Sequence, residues 1–99
     1  MTIENRRFDA ARYLESAEDI AAFLEDAFSS NDPAVIAAAL GAAARAHGMT
    51  ELARDTGLNR AQLYRSLSAD GSPELSTVLK VLAALGVRLQ ATPISAEAA

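Results

Sequence analysis

The 99-residue sequence predicts a small all-α domain of about five to six helices, followed by one short C-terminal β-strand. Three observations support this prediction. Apolar residues recur at spacings of three and four over most of the chain, which is the period of an amphipathic helix. Ser, Asp and Asn residues begin these stretches and glycines end them, as helix caps do. The stretch near the C-terminus alternates apolar and polar residues instead, as strands do.

The N-terminal part predicts two helices. We expect residues 1 to 8 to be extended and Asp9 to cap a short helix that runs to about Leu14. Ser16 then caps a longer helix, with acidic residues in its first turn as the helix dipole favours. Because an amphipathic helix usually faces its own core, we expect its apolar stripe to be buried within the chain rather than against a partner. The stripe comprises Ile20, Phe23, Leu24, Ala27 and Phe28.

The alanine-rich middle stretch predicts a helix that Asp32 caps, with Pro33 at its first position. It ends near His47, where Gly48 closes it. The alanines and Gly41 would allow another helix or a neighbouring subunit to approach closely. His47 is the only histidine and the chain has no cysteine, so we predict a polar helix-terminal role for it and no metal site. The expected inner face comprises Val35, Ile36, Ala39, Leu40 and Ala43.

Residues 49–67, MTELARDTGLNRAQLYRSL, predict two short helices joined by a sharp turn. Gly57 tolerates the positive φ that often ends a helix. Asn59 can cap the second helix, and the glutamine three residues later completes a capping-box pattern. Leu63 and Leu67 share the inward face at a spacing of four. This pattern is typical of a helix-turn-helix motif, in which the second helix enters a DNA major groove.

With its leucines turned inward, the second helix presents a polar face that we predict to contact DNA. Arginine can bind guanine or phosphate, and tyrosine can reach a phosphate or pack on a thymine methyl group. An ordinary solvated helix is the alternative, since any surface helix can carry two arginines. The predicted DNA-binding residues are Asn59, Arg60, Ala61, Gln62, Tyr64 and Arg65.

The C-terminal part predicts a helix and a strand. After a turn-rich loop, a helix opens at Ser72 or one or two residues later and ends at Gly86. Residues 87–92 alternate apolar and polar side chains, which predicts one β-strand. A lone strand needs a partner edge, and we favour residues 2–7 or the same strand of a second subunit over the sheet of another protein. The expected inner face of the helix comprises Leu75, Val78, Leu79, Leu82 and Leu85.

Charge is distributed unevenly along the chain. The formal net charge is −4. Residues 1–48 hold eight acidic and four basic side chains, whereas residues 49–99 hold five of each. An acidic half beside a balanced half favours two surfaces with two partners. The alternative is that the acidic residues only cap and solvate helices.

Several classes of protein are disfavoured. The absence of cysteine excludes a disulfide framework and thiolate chemistry. No apolar run approaches the ~20 residues that span a bilayer, and the N-terminus lacks the apolar core of a signal peptide. We therefore expect a cytoplasmic protein with no membrane contact. Neither a catalytic triad nor a phosphate-binding loop is visible, so we predict no enzyme, no catalytic residue and no cofactor.

Together these elements divide the chain into three parts. We predict an acidic helical extension over residues 1–31 and a helix-turn-helix DNA-binding domain over 32–86. Residues 87–99 complete the chain as the C-terminal strand and a disordered tail. Two-fold symmetry places two reading helices ~34 Å apart, on successive major grooves, so we predict a homodimer. The alanine-rich helix, the first amphipathic helix and the C-terminal strand are the candidate dimer surfaces.

Three stretches, FDAARYL, DPAVIAAALGAAARAHGMTELARDTGLNRAQLYRSLS and GSPELSTVLKVLAALGVRL, resemble the probable addiction-module antidote proteins. These are HigA-like type II antitoxins with a helix-turn-helix of the Cro/lambda-repressor type. The resemblance implies a lambda-repressor-like fold and a small basic RelE-like toxin, encoded by an adjacent gene, as partner. It also implies repression of the chain's own operon, with DNA contacts from Asn59, Arg60, Ala61, Tyr64 and Arg65. One departure is that Ser66 occupies a site usually apolar in phage repressors, so we expect the second helix to end or rotate differently.

Two alternatives to the antitoxin hypothesis remain open. A stand-alone helix-turn-helix transcriptional regulator would bind operator DNA without a toxin partner. A protein-interaction module would use the same fold without binding DNA, and its function would then not depend on Arg60 or Arg65.

Overall fold

The computed structural model describes residues 14–94, which form five helices. These are α1 (Ala17–Ser29), α2 (Pro33–His47), α3 (Met49–Thr56), α4 (Arg60–Ser66) and α5 (Leu75–Leu85). The prediction of an all-helical domain is confirmed for this part of the chain, and the arrangement is compatible with a small helix-turn-helix domain. The short helix and extended segment predicted over residues 1–13, and the tail over 95–99, lie outside the described residues.

Two of the helices, α1 and α2, begin at the predicted caps, and α5 ends at the predicted glycine. The Ser16 hydroxyl accepts a hydrogen bond from the Asp19 N–H at 3.1 Å, and the Asp32 carboxylate accepts one from the Ala34 N–H at 3.0 Å. Each bond satisfies a backbone donor that has no partner inside its helix. Gly86 ends α5 at a φ of 83°, in the left-handed region that glycine tolerates. The N-cap of α5 is Glu74, two residues after Ser72, so the helix opens at the latest of the positions that the sequence left open.

A single hydrophobic core joins all five helices. Each helix contributes one leucine whose exposed fraction is 2% or less, and these leucines belong to one buried cluster. The apolar stripe of α1 lies in this cluster, with Phe23 and Phe28 packed against it, so the expectation that α1 faces its own core is confirmed. The five leucines are Leu24, Leu40, Leu52, Leu63 and Leu82.

The buried faces of α2 and α5 differ from the predicted ones. Val35 is 43% exposed, Leu75 is 65% exposed and Leu79 is 47% exposed, although we expected all three to face inward. Val81, absent from the predicted face, is fully buried. Apolar residues cover much more than one side of α5, so spacing alone admits several inward faces. Packing against the other helices selects the face centred on Val81, Leu82 and Leu85.

The predicted β-strand over residues 87–92 is wrong. The Val87 N–H bonds back to the Leu82 carbonyl at 3.0 Å and closes the end of α5, and every residue from 88 to 94 is exposed. No strand is formed anywhere within residues 14–94. Alternation shows only that one face of a segment is apolar. Strand formation also requires a neighbouring edge for the backbone groups, and the described part of the chain offers none.

Gly41 marks a close contact between α2 and the end of α4. A Cβ atom at this position would collide with the backbone carbonyl oxygen of Leu67. Glycine inside a helix costs roughly 0.5–1 kcal/mol relative to alanine. The missing side chain is what allows the two backbones to lie this close, so the cost is offset by packing.

We expect Gly41→Ala to lower the free energy of unfolding by about 1–3 kcal/mol, because the added methyl group must push backbone atoms apart. Urea denaturation followed by circular dichroism measures this change. Ala38→Gly, at an exposed position of α2, is the control and should cost roughly 0.5–1 kcal/mol through helix propensity alone. A Gly41→Ala protein more stable than the parent would show that the close contact is absent.

Candidate nucleic-acid interface

The α4 helix separates an apolar face from a polar face. It is seven residues long, and Leu63 is 1% exposed. Leu67 follows the helix directly and is 2% exposed. All six residues predicted to contact DNA are exposed, and the structure brings them together at α4 and its N-cap. They are Asn59, Arg60, Ala61, Gln62, Tyr64 and Arg65.

Hydrogen bonds define both ends of α4. The Asn59 side chain accepts a bond from the Gln62 N–H at 3.1 Å, so the predicted N-cap is confirmed. The Ser66 hydroxyl donates to the Gln62 carbonyl at 2.9 Å, one turn back. The helix ends at Ser66, and Leu67 adopts a non-helical conformation with φ −97° and ψ 59°. Leu67 is therefore buried from a position just beyond the helix.

The turn between α3 and α4 depends on Thr56 as well as on the predicted glycine. Gly57 has a φ of 75°, in the left-handed region, as expected. The Thr56 hydroxyl donates to the Leu52 carbonyl at 2.7 Å and accepts from the Leu58 N–H at 3.2 Å. It thus joins the last turn of α3 to the first residue after Gly57. The sequence analysis missed this role, although a threonine directly before a helix-ending glycine can bond locally in this way.

Two glycines support the C-terminal end of α4. Gly41 lies against the Leu67 carbonyl, and a Cβ atom at Gly71 would collide with the carbonyl oxygens of Arg65 and Ser66. The loop closes on itself because the Gly71 N–H donates to the Ser68 carbonyl at 2.8 Å. The end of α4 is therefore enclosed by backbone atoms of α2 and the following loop. The role of Gly71 could not be read from its place in a turn-rich segment.

The charged side chains of α4 are two arginines, with no acidic residue among its seven positions. Arg60 is the first helical residue, where the positive end of the helix dipole disfavours a cation. Its guanidinium carbon lies 5.8 Å from the centre of the Tyr64 ring, within the range of a cation–π contact. Tyr64 itself is 45% exposed. The exposed face is therefore locally basic on a chain of net negative charge.

A second charged surface lies on and just before α1, where every carboxylate is exposed. The sequence contains no lysine or arginine between residues 14 and 44. Glu18 and Asp19 lie in the first turn, where they complement the helix dipole. Glu25 and Asp26 lie in the second half of the helix, where the dipole gives no reason for an acidic residue. The exposed carboxylates are Glu15, Glu18, Asp19, Glu25 and Asp26.

His47 is the last residue of α2 and faces acidic side chains of α3. Its Nε2 atom lies 3.9 Å from a Glu51 carboxylate oxygen and 4.0 Å from one of Asp55. Arg54 also approaches both carboxylates, at 3.7 and 3.8 Å. Partly exposed pairs of this length contribute little to stability. Within residues 14–94, no group of three His, Asp or Glu side chains has the geometry of a metal site.

Comparison with known proteins identifies the family. A family model described as "probable addiction module antidote protein" matches residues 4–93, and the chain belongs to this family. An uncharacterized protein of Haemophilus influenzae is 40% identical over 90 residues, which cover 91% of this chain and 93% of that protein. No solved structure gave a significant match. In the described part of the chain, no helix is long and apolar enough to cross a membrane.

The capping bond of Asn59 predicts a stability difference between two substitutions. Asn59→Ala should lower the free energy of unfolding by roughly 0.5–2 kcal/mol, since the Gln62 N–H loses its acceptor. Asn59→Ser should remain close to the parent, because a serine hydroxyl accepts the same bond. Urea denaturation of the three proteins tests this. Equal losses for both variants would mean that the cap contributes nothing.

Proposed function

We propose that this protein is the antitoxin of a type II toxin–antitoxin pair, and that it also represses its own operon by sequence-specific DNA binding. Family membership over residues 4–93 is the observation that carries the antitoxin role. An antidote of an addiction module implies a toxin as its partner. The proposed toxin is a small, basic, RelE-like protein encoded by an adjacent gene.

The proposed DNA contact rests on the exposed face of α4. Its inward leucines hold the helix against the core, and its arginines and short polar residues point away from it. In helix-turn-helix proteins the second helix of the pair lies in the major groove. Arginine suits both guanine edges and phosphates. The absence of acidic side chains on α4 removes local repulsion from the DNA backbone.

The proposed toxin contact rests on the acidic surface of α1. A basic protein would be drawn to this surface, and the attraction would raise the rate of association most strongly at low salt. The acidic surface and the α4 face belong to different helices, so the proposed partners use different elements of the domain. Glu25 and Asp26 best represent this surface, because helix capping does not account for them.

The proposed homodimer would place two copies of α4 on successive major grooves of an operator with two-fold symmetry. The α1 stripe and the alanines Ala39 and Ala43 are buried in the chain's own core, so a dimer would have to use other faces of these helices. Light scattering of the full chain at micromolar concentration tests the proposal. A mass of one chain, alone and on operator DNA, would contradict it.

We expect Arg60→Ala and Arg65→Ala each to weaken operator binding by about 1–3 kcal/mol if the arginine reads a base. The measurement is fluorescence anisotropy with a labelled duplex from the promoter region of the chain's own gene. Arg88→Ala is the matched control, because it removes one exposed positive charge outside α3 and α4. Its affinity should stay close to that of the parent.

Two outcomes would change this proposal. Unchanged affinity for both α4 variants would remove α4 as the DNA-reading element. A pull-down from native cells that recovers promoter DNA without any protein partner would favour a stand-alone transcriptional regulator. Recovery of a small basic protein from the adjacent gene would support the antitoxin role.

We expect the double variant Glu25→Gln/Asp26→Asn to weaken toxin binding by about 0.5–2 kcal/mol. The loss should be larger at low salt, because dissolved ions screen the attraction between exposed charges. Titration calorimetry with the adjacent-gene protein measures the loss. Asp70→Asn/Glu74→Gln removes two exposed acids elsewhere and is the control. Equal losses for both double variants would show that net charge, rather than the α1 surface, controls binding.

A further inference from the structure

The contact between Arg60 and Tyr64 has a consequence for recognition. Both side chains are exposed, and the guanidinium carbon lies 5.8 Å from the ring centre. The two residues are four apart on α4, a spacing at which helical side chains meet. Among the described residues, the structure places an aromatic ring beside Arg60 but not beside Arg65. The two arginines of α4 therefore differ in their aromatic neighbours.

An arginine on a helix surface samples many rotamers, and binding a base edge must order them at a cost in entropy. A guanidinium attracted to an aromatic ring loses part of this freedom before binding. The Arg60 guanidinium carbon lies 5.8 Å from the Tyr64 ring centre, within the range of this attraction, and the N–H donors lie around the edge of the group. These edge donors form the two-pronged contact with guanine O6 and N7.

We propose that Tyr64 is a positioning residue that orients Arg60 to read a guanine in the major groove. This inference rests on the proposed DNA-binding function and assigns separate roles within the α4 face. Arg60 is the base reader, and Tyr64 acts through Arg60 by means of its ring. Arg65, which the structure does not hold against a ring, contributes mainly through its charge to phosphate.

A direct contact between Tyr64 and DNA is the competing explanation. In that case its hydroxyl group would reach a phosphate, or its ring would pack on a thymine methyl group. Either contact would persist when Arg60 is absent. If the contact between Arg60 and Tyr64 had only a structural role, it would stabilise α4 by roughly 0.2–0.5 kcal/mol and would not affect base preference. These three possibilities predict different patterns in a double-mutant cycle.

The cycle uses the full-length chain and a fluorescein-labelled duplex from its own promoter region. We expect Tyr64→Leu to weaken binding about two- to fivefold, which corresponds to the strength of an exposed cation–π contact. The same change made in an Arg60→Ala background should cause no further loss. Tyr64→Phe keeps the ring and should restore most of the affinity lost in Tyr64→Leu. Urea denaturation of each variant separates loss of binding from loss of folding.

Base preference gives a second measurement. Duplexes in which each guanine is replaced in turn by 7-deazaguanine should reveal one position in each half-site at which the parent loses affinity. Arg60→Ala and Tyr64→Leu should both become insensitive to that position, whereas Arg65→Ala should retain the sensitivity. Additive losses in the cycle, or a Tyr64→Phe variant as weak as Tyr64→Leu, would overturn the inference while leaving DNA binding intact. Failure of the parent chain to bind its promoter would overturn both this inference and the proposed DNA-binding function.

Discussion

The close contact between Gly41 of α2 and the Leu67 carbonyl is the constraint on which the geometry of α4 depends. Backbone atoms meet there without an intervening side chain, so the end of α4 has little freedom to shift. Gly71 encloses the same end from the following loop. With its end held in this way and Leu63 in the core, a helix of only two turns keeps one defined face toward solvent. A helix this short would not be stable in isolation.

Acidic and basic side chains also lie on different helices, which the net charge of the whole chain does not reveal. A chain with a net charge of −4 is a poor general ligand for nucleic acid. Its α4 helix nevertheless carries two arginines and no acid, while α1 carries carboxylates without a basic residue. Local charge acts within a Debye length of about 8 Å at physiological salt. A protein with this distribution can present different surfaces to DNA and to a basic partner.

Much of the candidate interface could be read from the sequence, because its determinants are local. A cap such as Asn59 and a left-handed glycine such as Gly57 act on residues within a few positions, and periodicity places Leu63 inward. The supporting contacts of Gly41, Gly71 and Thr56 were harder to foresee. Gly41 contacts a residue that is distant in sequence, and Gly71 contacts the end of α4 only because the intervening loop folds back. Thr56 forms its hydrogen bonds only once the turn has formed. The cation–π contact of Arg60 likewise depends on the rotamers of two long side chains.

The sequence by itself determined most of the helix ends, that the helices are amphipathic, and which residues of α4 face solvent. These properties follow from hydrogen bonds and spacings within one or two helical turns. The tertiary structure decided which side of α5 is buried and left Leu75 and Leu79 exposed. It also decided that residues 87–92 form no strand, since an alternating segment pairs only where another edge meets it. Such choices depend on what lies opposite each element, and that information is spread over the whole chain.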